Sequence, residues 1–269
     1  MRGRVLIVAG SDSGGGAGIQ ADIKSVTAMG GYAATAVTAL TAQDTEAVRA
    51  VHPVPLDFVR LQIRMSLADI GADAIKTGML GERDTIEAVW EVVSGYARGI
   101  PLVVDPVMVA KGGSRLLEED AVAAMRERLL PLATLVTPNI PEAEVLVGFP
   151  IPDLDAMRRA AAALRGMGAG AALVKGGHMA GDALHDVLLS DAGEEVFTSS
   201  RIETRHTHGT GCTLASAIAA GLAQGMAMRD AVARARDYVA AAIRSAPGYG
   251  RGHGPLDHAV TVDTGRLGW

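Results

Sequence analysis

The run Val5-Leu6-Ile7-Val8-Ala9 breaks off at Gly10-Ser11-Asp12-Ser13 and passes through Gly14-Gly15-Gly16-Ala17-Gly18 into Ile19–Met29, a segment of helical period. An apolar run of this length, rich in valine and isoleucine and ended by glycine, reads as a buried strand. The segment beyond the turn reads as the helix of a βα unit. The basic start Met1-Arg2-Gly3-Arg4 lends the run the outline of a signal peptide, but the turn at Gly10 cuts it short, so it is expected to be a first strand.

Working outward, the same unit recurs. Strands are expected at Ala34–Leu40, Ala74–Thr77, Leu102–Asp105, Leu135–Thr137 and Ala172–Lys175, and helices at Leu56–Ile70, Asp84–Tyr96, Glu119–Leu129, Glu142–Val147 and Asp155–Met167. That alternation implies a mainly parallel sheet with helices on both faces. Beyond Lys175 the pattern changes. Asp186–Ser190 and Glu195–Ile202 read as a hairpin turned by Asp191-Ala192-Gly193, and Gly211–Gln224 and Met228–Ser245 as two closing helices. With no repeat, low-complexity tract or long linker, residues 1–269 read as one α/β domain.

Composition narrows the function. Of 269 residues 49% are hydrophobic and only 3% aromatic, which implies a core of alanine, valine and leucine. A net charge of −5 argues against a nucleic-acid or anionic-membrane partner. No apolar run approaches the ~20 residues of a bilayer span. One cysteine cannot close an internal disulfide, so a reducing cytoplasm is the expected compartment.

Polar residues bunch where the expected strands end: Thr77-Gly78-Met79, Asp105-Pro106, Thr137-Pro138-Asn139 and Lys175-Gly176-Gly177. In open α/β sheets ligands bind along that edge, so one cleft is expected there. The loop Gly10–Gly18 matches neither a Walker loop nor the dinucleotide fingerprint. It is either a turn that brings backbone close to a small ligand or a plain connection, and Asp22 beyond it either points back to that pocket or is a solvated carboxylate. Asp105, Asn139 and Glu142 supply oxygen donors suited to Mg²⁺, while Asn139 and Glu142 also suit a helix cap with Pro141 in the first turn. Lys175 reads as a phosphate contact or a surface lysine. His178, His206 and His208 show no metal-ligand spacing and read as polar loop residues.

His206-Thr207-His208-Gly209-Thr210-Gly211-Cys212-Thr213 carries a second signal. Two glycines turn the backbone tightly and the helix that follows offers unpaired amides and a positive dipole end, which makes a place for an anion. Cys212 stands in the first helical turn, where a thiolate is favoured, or else is a small packing residue.

Taken together, Ala9–Asp22, Thr38–Gln43, Lys76–Met79, Val104–Met108, Thr137–Asn139 with Glu142, Val174–His178 and Gly209–Cys212 resemble the ribokinase-like small-molecule kinases. The specific resemblance is to the hydroxymethylpyrimidine/phosphomethylpyrimidine kinases of thiamine biosynthesis, and it runs from the first strand to the last helices. It implies a ribokinase-like α/β fold and transfer of the ATP γ-phosphoryl to an aminopyrimidine alcohol, then a second phosphoryl to its monophosphate. By the same resemblance the amides of Gly209, Thr210 and Gly211 form the anion hole, and Cys212 stands where most of the wider superfamily has a catalytic aspartate, so that its thiolate would accept or orient the proton of the substrate hydroxyl. Lys175 and Asn139 would serve ATP, Asp105 and Glu142 would hold Mg²⁺, and Gln43, Gly10, Asp22, Met79 and Val107 would form the pyrimidine pocket. A homodimer is implied too. Asp44 and Gly14 depart from the pattern, where asparagine and serine are frequent, and Asp44 would add charge near the pocket.

Pyridoxal kinase is the nearest alternative, since that ring also bears a hydroxymethyl group; Gln43 favours the pyrimidine. A thiazole-alcohol kinase fits the Gln43 and Asp105-Pro106 segments less well. A catalytically silent pyrimidine sensor would need the pocket but not Lys175, Asp105, Glu142 and Cys212 together. An NAD-dependent oxidoreductase lacks its fingerprint.

Overall fold

The structure, a computed structural model, describes residues 2–108, 119–177, 183–263 and 265. His178, quoted above with the Lys175 motif, lies outside them. The described residues form nine strands: β1 (Arg4–Asp12), β2 (Tyr32–Gln43), β3 (Val48–Pro53), β4 (Ala74–Thr77), β5 (Leu102–Val104), β6 (Leu135–Val136), β7 (Ala172–Lys175), β8 (Ala183–Ser190) and β9 (Gly193–Ser200). They form one sheet in the order β3-β2-β1-β4-β5-β6-β7-β8-β9. From β2 to β7 neighbours are parallel; β3 at one edge and β8 and β9 at the other pair antiparallel.

Side-chain alternation divides the core in two. Leu6, Val8, Ile75, Val104, Val136 and Val174 face one apolar layer, and Val5, Ile7, Ala74, Val103, Leu135 and Leu173 face the other. Successive strand residues point to opposite faces, so strands apolar throughout must be covered on both. Helices α2 (Leu56–Asp69), α3 (Arg83–Tyr96), α4 (Glu119–Ala124), α5 (Ile140–Val147) and α6 (Leu154–Gly166) cover the first layer. Helices α1 (Gly18–Ala28), α7 (Thr210–Ala223) and α8 (Met228–Arg244) cover the second. None of the described helices is long and apolar enough to cross a membrane.

Three expectations need correction. Strand β3 was not foreseen, because Val48-Arg49-Ala50-Val51-His52-Pro53 lies at an edge with most side chains exposed and carries no apolar run. The helix expected over Glu119–Leu129 is α-helical only to Ala124; a wider π turn follows over Met125–Leu129 and a tight one over Leu130–Leu132, with Pro131 unable to donate to an α-helix. The hairpin runs Ala183–Ser190 and Gly193–Ser200, so Ile202 lies beyond its strand.

The order β2-β1-β4 matters most for function. The chain leaves β1 for β2 and β3 on one side, then returns to β4 on the other. A crevice opens at the carboxyl ends of β1 and β4, where the strand order reverses.

Candidate active site

A cavity of about 1170 Å³ occupies that edge. Gly10, Gln43, Met79 and Val107 line it, as do Asp105, Asn139, Glu142 and Lys175 and the turn Gly209–Cys212. Every residue expected at the site is thus brought together except one. Asp22 does not line the cavity. It is fully buried beneath it, where both its oxygens accept from Lys76 Nζ at 2.9 Å and Oδ1 also accepts from Ser216 Oγ at 2.6 Å.

At the β1 end, the pairing of β1 with β2 slips between Ala9 and Ser11, and Gly10 sits in the irregularity. A Cβ there would fall 2.4 Å from the terminal methyl of Met79, so the bare backbone lets Met79 lie across the turn. Gln43 ends β2 beside them, its backbone N–H donating to Ser13 Oγ at 3.0 Å. Asp44 brings less free charge to the pocket than its sequence position implies. Its Oδ1 accepts from the amides of Glu46 and Ala47, and its Oδ2 pairs with Arg49 at 3.1 Å.

At the α7 end, Gly209 adopts φ 83° and turns the chain so that the first residues of α7, Thr210, Gly211 and Cys212, line the cavity. A Cβ on Gly211 would lie 3.4 Å from Lys175 Nζ and 3.7 Å from Asp105 Oδ2. Ammonium, carboxylate and helix terminus therefore meet at one point. Lys175 Nζ is 3.3 Å from Asp105 Oδ1, which also accepts from Thr137 Oγ1 at 3.1 Å. Burial works against the Lys175 charge, yet Asp105 and Glu142 raise its pKa and keep it protonated.

Asn139 and Glu142 form a full capping box on α5: Glu142 N–H donates to Asn139 Oδ1 at 2.9 Å, and Asn139 N–H to Glu142 Oε2 at 2.8 Å. The cap reading of the sequence is realised, and Glu142 still lines the cavity. Burial, with Asp105 adding to it against the pull of Lys175, raises the Glu142 carboxyl to about 7. Two buried carboxylates facing one cavity suit a hard cation. No three His, Cys, Asp or Glu side chains among the described residues are grouped to hold one, so phosphate oxygens and water would have to complete a Mg²⁺ shell.

Cys212 overturns an expectation. The helix terminus favours a thiolate, but burial pushes the thiol up to about 12 against the pull of Lys76, and Asp22 and Asp105 add to the rise. It stands as a neutral thiol.

Sequence reasoning missed Asp12, Lys76 and His208. Lys76 is an ammonium with no exposure, held charged against its burial by Asp22. Asp12 receives His208 Nε2 at 2.9 Å, so this histidine is more than a polar loop residue. An aspartate two residues ahead of a glycine run is a turn signal that could have marked Asp12; nothing local marks the other two.

Comparisons with known proteins agree with this geometry. The chain matches the family described as phosphomethylpyrimidine kinase over residues 12–257. It is 54% identical over 263 residues to the thiamine biosynthesis bifunctional protein ThiED of Geobacter sulfurreducens, covering 97% of this chain and 53% of that protein, so it spans about half of that longer relative. It is 48% identical over 254 residues to the hydroxymethylpyrimidine/phosphomethylpyrimidine kinase of Streptomyces coelicolor, covering 94% and 93% of the two chains. Among solved structures, an ADP complex of Bacillus subtilis pyridoxal kinase superposes with a TM-score of 0.90 at 37% identity, covering 97% and 98%.

Proposed function

The chain belongs to the phosphomethylpyrimidine kinase family, with a ribokinase-like fold, and from that premise we propose the reaction it performs. It transfers the γ-phosphoryl of ATP to the hydroxymethyl oxygen of 4-amino-5-hydroxymethyl-2-methylpyrimidine, then a second phosphoryl to the monophosphate, within thiamine biosynthesis or salvage. Residues 1–269 act as one kinase domain. The observation that carries this reading is the meeting of Lys175, Asp105 and the α7 amides at Gly211, in the cavity that Gln43 also lines.

Phosphoryl transfer needs alignment and neutralised charge more than covalent help. The amides of Gly209, Thr210 and Gly211 receive the oxygens of the transferring group, and Lys175 offsets phosphate charge. Bound at Asp105 and Glu142, Mg²⁺ would neutralise charge on the phosphate oxygens. Asn139 keeps Glu142 in place through the capping box while bordering the nucleotide. Gln43 offers a donor and an acceptor together to the aminopyrimidine edge, and Gly10, Met79 and Val107 close on the ring. Asp22 acts from below the pocket through Lys76. The neutral Cys212 thiol orients the acceptor hydroxyl, whose oxygen attacks phosphorus as ADP leaves; once the new P–O bond has begun to form, the hydroxyl proton passes to an oxygen of the transferred phosphoryl group and from there to water. On the outer face of α2, Phe58, Leu61 and Met65 are 56%, 48% and 63% exposed at helical spacing, an apolar stripe that supports a homodimer; a single cysteine suits a cytoplasmic location.

The pyridoxal alternative draws on the 0.90 TM-score to a pyridoxal kinase, but identity is higher to the Streptomyces kinase, 48% against 37%. Incubation with Mg-ATP and hydroxymethylpyrimidine, its monophosphate or pyridoxal, following ADP and product mass, tests the choice. Turnover of both pyrimidines is expected; faster pyridoxal phosphorylation, or no ADP from any alcohol, overturns the reading.

A further inference from the structure

Asp12 and His208 have no part in the reaction as drawn, although 196 positions of chain separate them and the fold brings them together. Asp12 is only 2% exposed. Its Oδ1 accepts from the amide of Gly14 at 2.7 Å, and its Oδ2 from those of Gly16 at 3.1 Å and Ala17 at 2.7 Å. The same Oδ2 accepts from His208 Nε2 at 2.9 Å. Burial alone would raise the carboxyl, but hydrogen bonds from His208, the Gln43 side chain and the Ala17 amide hold it well below the usual carboxylate range. An ionised carboxylate only accepts, so Nε2 of His208 carries the proton.

Around this bond two glycine loops touch backbone to backbone. A Cβ on Gly209 would lie 1.8 Å from the carbonyl oxygen of Gly16, and one on Gly16 would lie 2.6 Å from His208 Cδ2. One loop borders the acceptor end of the cavity through Asp12, Ala17 and Gly18, and the other supplies the Gly209–Gly211 amides. We infer that Asp12 and His208 are positioning residues, whose hydrogen bond fixes the anion-hole loop against the acceptor loop and so sets where the phosphoryl group and its acceptor meet. The inference rests on the kinase reading above. Misplacing reacting groups by about 1 Å costs on the order of 100-fold in rate.

The test uses three substitutions: His208→Ala, His208→Asn and His208→Gln. Glutamine carries an N–H as many bonds from the backbone as Nε2 is, whereas asparagine is one methylene short. In the Ala and Asn variants kcat should fall roughly 10- to 100-fold with KM for ATP changed less than threefold; the Gln variant should stay within threefold of wild type. Hydrogen exchange supplies a readout independent of catalysis: the amides of Gly209–Cys212 should lose protection in Ala and Asn and keep it in Gln. If the Ala variant fails to fold, the Asn and Gln pair decides. Unchanged kcat in Asn, a Gln variant as slow as Asn, a loss confined to KM, or unchanged exchange overturns the inference. A wild type that phosphorylates no alcohol overturns the kinase reading instead, and the exchange pattern then still decides whether the two loops are tied.

Discussion

Two lysine–aspartate pairs stand at the carboxyl edge of the sheet and do different work. Lys76 and Asp22 are both without exposure, joined through two contacts of 2.9 Å, with Ser216 filling a further lone pair of Asp22. Lys175 and Asp105 are 3.3 Å apart, and the lysine side chain is 13% exposed to the cavity. Lys76 stands in the cavity wall, but with no exposure and both oxygens of Asp22 against its ammonium it is a fixed charge within the scaffold. The second is looser, and its lysine is open to the cavity, as the phosphate contact proposed for it requires. Residue type does not separate them; enclosure does.

Lys76→Met should give the largest effect. It leaves Asp22 buried without its cation and should cost about 3–5 kcal/mol in urea unfolding, while Lys76→Met with Asp22→Leu should recover most of that loss. A single variant as stable as wild type would break the contrast from one side. Lys175→Ala should lower kcat/KM about 10²- to 10³-fold, as removal of a transition-state donor does, with a smaller loss in urea unfolding than Lys76→Met, because Asp105 keeps its bond from Thr137. A large stability loss there would make the two pairs alike.

An uncharged buried group sharpens the comparison. His258 Nε2 meets Thr213 Oγ1 at 2.9 Å, under the second residue after Gly211, and burial, with Lys24 adding to it, lowers its pKa to about 4. The unfolded chain takes up a proton near 6.5 while the folded one refuses it down to about 4, so stability falls as pH drops through that window. Between pH 7.5 and 5 the loss should be about 2 kcal/mol, and His258→Gln should flatten the slope. An unchanged slope would show that the imidazole is not the group responsible. Cys212 senses both pairs, lowered by Lys76 and raised by Asp22 and Asp105. Cys212→Ala should reduce kcat about tenfold with ATP affinity little changed, and Cys212→Ser should restore part of it. An unchanged kcat would leave the amides of Gly209–Gly211 to carry the chemistry without the thiol.

Much of this was legible in the chain. Apolar runs ending in Thr77, Asp105, Thr137 and Lys175 announced a parallel sheet and put the polar residues on one edge, because a strand covered on both faces must be apolar until it leaves the core. Asn139 and Glu142 are three apart, and their capping box is a local event. Strand β3 stayed hidden because an exposed edge strand needs no apolar pattern, and in the helix after Glu119 only Pro131 marks the tight turn, with nothing local ahead of it to mark the change of pitch at Met125.

The amino-acid sequence by itself determined the βα rhythm, the two-sided core, the glycine turn before α7 and the family resemblance, since each rests on residues close in the chain. Only the tertiary structure decided which carboxylate each lysine meets, that Asp22 lies beneath the cavity, and that Cys212 stays a thiol. Lys76 finds Asp22 across 54 positions, Lys175 finds Asp105 across 70, and His208 finds Asp12 across 196. Such pairings follow from strand order, and the charge state of each group follows from how completely its neighbours exclude water.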